Sequence, residues 1–125
     1  MNTQRANHYG HALVLPTEHV VDLSGAPPPL LAEVFEVVAR VSAAMTRAFG
    51  AVGTSILQNN SIPDQTLLHL HVHVVPRFVG DGFRIPDPTV SVIDHETRAA
   101  QAAELARALR APDTAPSTQR RPRFD

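Results

Sequence analysis

The chain is predicted to be an α+β domain in which an antiparallel sheet packs against one long helix, with a C-terminal helix and a disordered tail after it. Three observations predict this. The run His69-Leu70-His71-Val72-His73-Val74-Val75-Pro76 alternates imidazole and aliphatic side chains, the period of a strand. Between Pro27-Pro28-Pro29 and Gly50, apolar residues recur at helical spacing. The remaining strand-like segments are short and end on proline or asparagine turns, which suit antiparallel connections.

Taken in order, residues 1–10 are polar and end in Gly10, and His11-Ala12-Leu13-Val14-Leu15-Pro16 reads as a short strand stopped by proline. The triple proline pre-sets φ where a helix start leaves its donors unpaired anyway. Leu30, Leu31, Val34, Phe35, Val38, Val41, Met45, Ala48 and Phe49 then form one apolar stripe, closed by Gly50. Met45 and both phenylalanines are expected in the core. Residues 54–58 read as a second strand, Asn59-Asn60-Ser61 with Pro63-Asp64 as a turn, and residues 66–75 as the histidine strand. Its aliphatic face, Leu68, Leu70, Val72 and Val74, is expected against the helix, and the imidazoles on the polar face. Gly80-Asp81-Gly82 and Pro86-Asp87-Pro88 break regularity ahead of a short edge strand at residues 89–93. Asp94 caps a last helix with a shallow apolar face that runs to Arg110. Residues 1–110 therefore form one domain, and residues 111–125, rich in Pro, Ser, Thr, Gln and Arg without periodicity, form a disordered tail.

Composition narrows the function. With 125 residues, 43% hydrophobic and 18% charged, the chain matches one soluble domain, and its apolar runs are too short to span a bilayer. A net charge of -1 argues against bulk nucleic-acid or anionic-membrane binding. The absence of cysteine removes disulfides and thiolate metal sites. No secretory signal is visible in Met1-Asn2-Thr3-Gln4-Arg5, so a cytoplasmic location is expected.

Seven histidines placed at random in this chain would give an i, i+2, i+4 triple in roughly two chains of a hundred. On a strand, members two apart are separated by roughly 6.7 Å, so His69 and His73 stand about 13 Å apart and do not converge on one metal. A zinc site would need ligands from elsewhere, such as His11, His19 or Asp64, none at a diagnostic spacing. A solvated imidazole face is the bland alternative. The chemical one is nucleophilic catalysis, in which an imidazole held at Nδ1 offers its Nε2 lone pair to a phosphoryl centre while neighbouring imidazoles donate to the oxygens.

These residues resemble the histidine triad (HIT) superfamily, whose signature is His-φ-His-φ-His-φ-φ with φ apolar, here His69 to Val75 followed by Pro76-Arg77. Gln65-Thr66 precedes the run at the family's spacing, residues 10–19 are similar to the strand carrying an earlier active-site histidine, and Asn59-Asn60 is similar to its polar turn. The resemblance covers residues 10–79. It implies a HIT-like fold and hydrolysis at a nucleotide α-phosphate, as in a nucleoside phosphoramidate or dinucleoside polyphosphate, through a nucleotidyl-histidine intermediate. His71 would be the nucleophile, the His69 carbonyl would fix its tautomer, and His73 would contact phosphate oxygens. Gln65 and Thr66 would lie near the scissile bond or leaving group, His11 would support the triad, and Asn59 or Asn60 would contact phosphate or sugar. No cofactor or metal is implied; the partners would be a nucleotide substrate and a second copy in a homodimer. The family's helix and hairpin ahead of the Gly-His strand are not recognised in residues 1–10, so those N-terminal elements are expected to be missing, and Asp64 replaces the usual glycine. Two alternatives stay open: a shortened nucleotide- or partner-binding protein with little turnover, and a histidine-dependent metal protein.

Overall fold

The structure, a computed structural model, describes residues 9–61, 67–83 and 94–111. Three strands, β1 (Ala12–Val14), β2 (Gly53–Leu57) and β3 (Val72–Arg77), form an antiparallel sheet in the order β1-β3-β2. The helix α1 (Pro28–Phe49) covers one face, and α2 (His95–Arg110) packs along α1. This is the α+β architecture expected of the sequence.

The start of α1 follows from its prolines. Pro28 and Pro29 occupy the first turn, and the amides of Leu30 and Leu31 donate to the Pro27 carbonyl. The helix ends at Gly50, whose φ of 66° is left-handed and whose amide donates to the Thr46 carbonyl. Val34, Val38, Val41 and Met45 meet Val14, Val72 and Val74 of the sheet in the main core. Phe49 lies against this core as expected, but Phe35 is 41% exposed. Successive helical residues turn by about 100°, which carries Phe35 off the stripe that Val34 and Val38 centre, while Ala44 on the opposite flank is buried.

The histidine strand departs from expectation at both ends. It begins at Val72 instead of residue 66, because β1 pairs only Ala12–Val14 with Val74–Val72 and β2 stops at Leu57 opposite His73. Pro16 ends β1, so no ladder partner remains for the lead-in. That lead-in is instead tied by the Leu70 amide donating to the Val20 carbonyl, and Leu70 is buried with Val20 and Ala26. Leu68, expected in the core, is 64% exposed. At the other end β3 runs on through Pro76 and Arg77, because Thr54 and Gly53 still pair with them. Proline is tolerated there since only β2 flanks that stretch.

Between β1 and α1, a short 3-10 turn at Leu23–Gly25 that the sequence reading did not anticipate is capped by Asp22, whose carboxylate accepts from the amides of Ser24 and Gly25. The cap of α2 is as expected: Asp94 accepts from the Thr97 amide and hydroxyl. Leu105 and Leu109 lie against the main core. The expected edge strand at 89–93 and the tail from residue 112 lie outside the described residues. Among the described residues, no helix is long and apolar enough to cross a membrane.

Candidate functional site

The three motif histidines do not stand as a row of equivalent rings. His71, at the entrance to β3, is buried, and its Nδ1 lies 2.8 Å from the His69 carbonyl oxygen. A carbonyl only accepts, so Nδ1 carries the proton and donates, leaving Nε2 with the lone pair. The burial of His71 departs from the solvated face expected of the alternation. His73, on β3, points to β1, where its Nδ1 meets His11 Nε2 at 2.9 Å. The His73 ring also stands edge-on to His71, with centroids 5.0 Å apart. Burial, and then the neighbouring His71, hold His73 below its ordinary pKa.

His69 turns away toward the loop after β1. Its Nε2 donates to the Pro16 carbonyl at 2.8 Å, and its Nδ1 faces His19 Nδ1 at 3.3 Å. What His69 contributes to His71 is therefore its backbone oxygen. His19, which the sequence left as a capping or packing residue, is the ring neighbour of His69, with centroids 5.3 Å apart. Two imidazoles meet there, but among the described residues no group of three or more His, Asp or Glu side chains could hold a metal ion. The chain has no cysteine, so a zinc site here would have no thiolate ligand.

Of the two turn asparagines, Asn60 is engaged by the protein. Its Oδ1 accepts from the Leu23 amide at 2.8 Å and from Gln58 Nε2 at 2.9 Å, and its Nδ2 donates to Gln58 Oε1 at 2.6 Å. Beside it, the Ser61 hydroxyl donates to Asp22 at 2.9 Å, so this turn is buttoned to the short 3-10 turn. Asn59 is half-buried, and its carbonyl accepts from Gln58 Nε2. Gln65, Thr66 and Asp64 lie outside the described residues.

Arg77 shares the face of His73 four residues further along β3. Its guanidinium makes paired bonds to Asp81 at 2.8 and 3.0 Å, donates to Ser55 Oγ at 3.0 Å, and stacks 4.4 Å from the Phe83 ring centre. Asp81 also accepts from the amides of Phe78 and Phe83, and the Arg77 bond first, then those amides, hold its carboxyl well below the usual range. This clamp closes the turn after the strand. Gly-Asp-Gly marked a turn in the sequence, but nothing there named Arg77 as its partner.

The HIT domain family matches residues 2–80. An uncharacterised HIT-like protein of Mycobacterium tuberculosis, Rv1262c, is 40% identical over 73 residues, 58% of this chain and 51% of that protein. The adenosine 5'-monophosphoramidase hnt1 of Schizosaccharomyces pombe is 35% identical over 69 residues, 54% of this chain and 49% of that protein. Other matched relatives are named an adenylylsulfatase in Arabidopsis thaliana and an asymmetrical bis(5'-nucleosyl)-tetraphosphatase in S. pombe. This chain spans about half the length of the first two of these relatives. The crystal structure of a zinc-bound histidine triad protein from Mycobacterium smegmatis superposes with a TM-score of 0.68 at 33% identity, covering 83% of this chain and 74% of that one. A family match over more than half the chain, together with a shared fold, makes this protein a member of the HIT domain family.

Proposed function

We propose that the chain is a nucleotide hydrolase that attacks the α-phosphate of a nucleoside phosphoramidate, dinucleoside polyphosphate or related conjugate through His71. The observation that carries this reading is the bond from His71 Nδ1 to the His69 carbonyl, which leaves the Nε2 lone pair as the reactive end of a buried, oriented imidazole. A nucleophile fixed at Nδ1 needs no separate base before attack. His73, neutral down to a lower pH than an ordinary histidine and in edge contact with His71, would contact the phosphate oxygens. His11, just before β1, would orient His73. The names of the phosphoramidase, tetraphosphatase and adenylylsulfatase relatives support the substrate class.

The chemistry runs in two displacements. His71 Nε2 bonds to the α-phosphorus as the bond to the leaving group breaks, and the departing amine or phosphate takes a proton. Water then attacks the same phosphorus, the nitrogen–phosphorus bond breaks, and the nucleoside monophosphate leaves with neutral His71 restored. Gln65 and Thr66 would serve the leaving group, and Asn59 the phosphate or sugar; Asn60 holds the turn that presents Asn59. The test is incubation with adenosine 5'-phosphoramidate and diadenosine polyphosphates, followed by chromatography for AMP. AMP release from any of them supports the reading, and no release from all of them, by folded protein, overturns it.

A further inference from the structure

The triad's outer support begins on the last helix. Among the residues of α2, Gln101 alone is buried, and its Oε1 accepts from the Gly10 amide at 3.0 Å. Gly10 has a φ of +72°, and a Cβ there would stand 2.7 and 2.8 Å from the Phe49 ring and 3.0 Å from Pro76. This peptide is therefore wedged between α1, β3 and α2. The next residue is His11, whose ring meets His73. His11 precedes the first ladder pair, Ala12 with Val74, so the sheet does not set its orientation. The peptide before it is held by Gln101, and the His73 ring lies ahead of it. Around His73 itself stand His11 from just before β1, His71 from its own segment, Leu13 opposite on β1 and Leu57 opposite on β2.

We propose that Gln101 is a positioning residue of the active site: its carboxamide oxygen, by holding the Gly10 amide, sets the His11 ring that orients His73 beside His71. The catalytic half of this inference rests on the hydrolase reading above; the structural half does not. It also gives α2 a task beyond packing. Gln101, Leu105 and Leu109 follow at i, i+4 and i+8, so two leucines seat the helix on the core and the third position delivers the amide acceptor.

The test uses the full chain and four variants. Gln101→Met keeps length but removes the acceptor, Gln101→Asn withdraws it by one methylene, Gln101→Glu retains it, and Leu105→Ala loosens the helix without touching it. Ring-nitrogen NMR signals of His11 and His73 should move in Gln101→Met and Gln101→Asn, stay in place in Gln101→Glu, and move less in Leu105→Ala. In turnover of adenosine 5'-phosphoramidate, the first two should lose about tenfold or more in kcat with KM within about twofold, as misplacement of a reacting group does. If Gln101→Met fails to fold, Gln101→Asn supplies the same comparison. Unmoved ring signals in whichever of the two folds overturn the proposal, as do equal movements in Leu105→Ala. If the parent protein turns over no substrate, the hydrolase reading falls, and the ring signals alone decide whether Gln101 positions His11.

Discussion

At the level of single residues, the geometry around His71 separates three parts that a list of histidines would merge. His69 serves through its carbonyl, His73 through its ring, and His71 through the nitrogen that the first of these leaves unprotonated. His71→Ala should remove AMP release from adenosine 5'-phosphoramidate altogether. It should also cost about 1–2 kcal/mol in urea unfolding, because a buried side chain and its hydrogen bond are lost. His73 gives a pH signature of definite sign. Burial, then His71, lower its pKa below 6.5, so over the window beneath 6.5 the unfolded chain binds a proton that the folded chain refuses. The stability this provides is present above 6.5 and is lost as the pH falls toward the depressed folded value. Urea midpoints measured from pH 8 to 5 should therefore decline less steeply in His73→Gln than in the parent, and an unchanged slope would contradict this. The alternation of the sequence made these three histidines conspicuous, but it could not show which atoms they use. That depends on where β1 and β2 stop and which carbonyls they leave open.

Among the elements, α1 and α2 were legible almost to the residue, because a proline start, a glycine stop and an aspartate cap are local signals. The bounds of β3 were not, since they follow from how far β1 and β2 accompany it, and a strand's partners are not written in its own residues. The approach of β1 to its neighbours was likewise hidden. Gly10 and Gly50 both have left-handed φ, but a Cβ at Gly50 would meet nothing within 4 Å, whereas at Gly10 it would strike Phe49 and Pro76. Gly50→Ala should accordingly cost about 1–2 kcal/mol from backbone strain alone. Gly10→Ala should cost about 2–4 kcal/mol, strain plus overpacking. Urea unfolding of the two variants measures the difference, and equal losses would mean that the close approach at Gly10 carries no energetic weight.

In the whole molecule, α1 fills one side of the sheet while His73 of β3 and histidines from the segments beside β1 and β3 gather at the other. The sequence brought His11 and His73 into one site through the family resemblance, but it missed His19 against His69 and Gln101 against Gly10. Both pairs join segments far apart in the chain, and one of them is a lone polar residue on an otherwise apolar helix stripe. Because among the described residues His19 and His69 form only a pair, and the chain has no thiolate, AMP release should survive exhaustive chelation; loss restored specifically by zinc would contradict that. The central claim is a covalent route through His71, and the stereochemical course of the reaction tests it most directly. An adenosine 5'-phosphorothioate conjugate, chiral at the α-phosphorus, would be hydrolysed in heavy-oxygen water and the product's configuration read by phosphorus NMR. Two in-line displacements, on His71 and then by water, predict retention, whereas inversion would mean that water attacks directly and that His71 is not the nucleophile.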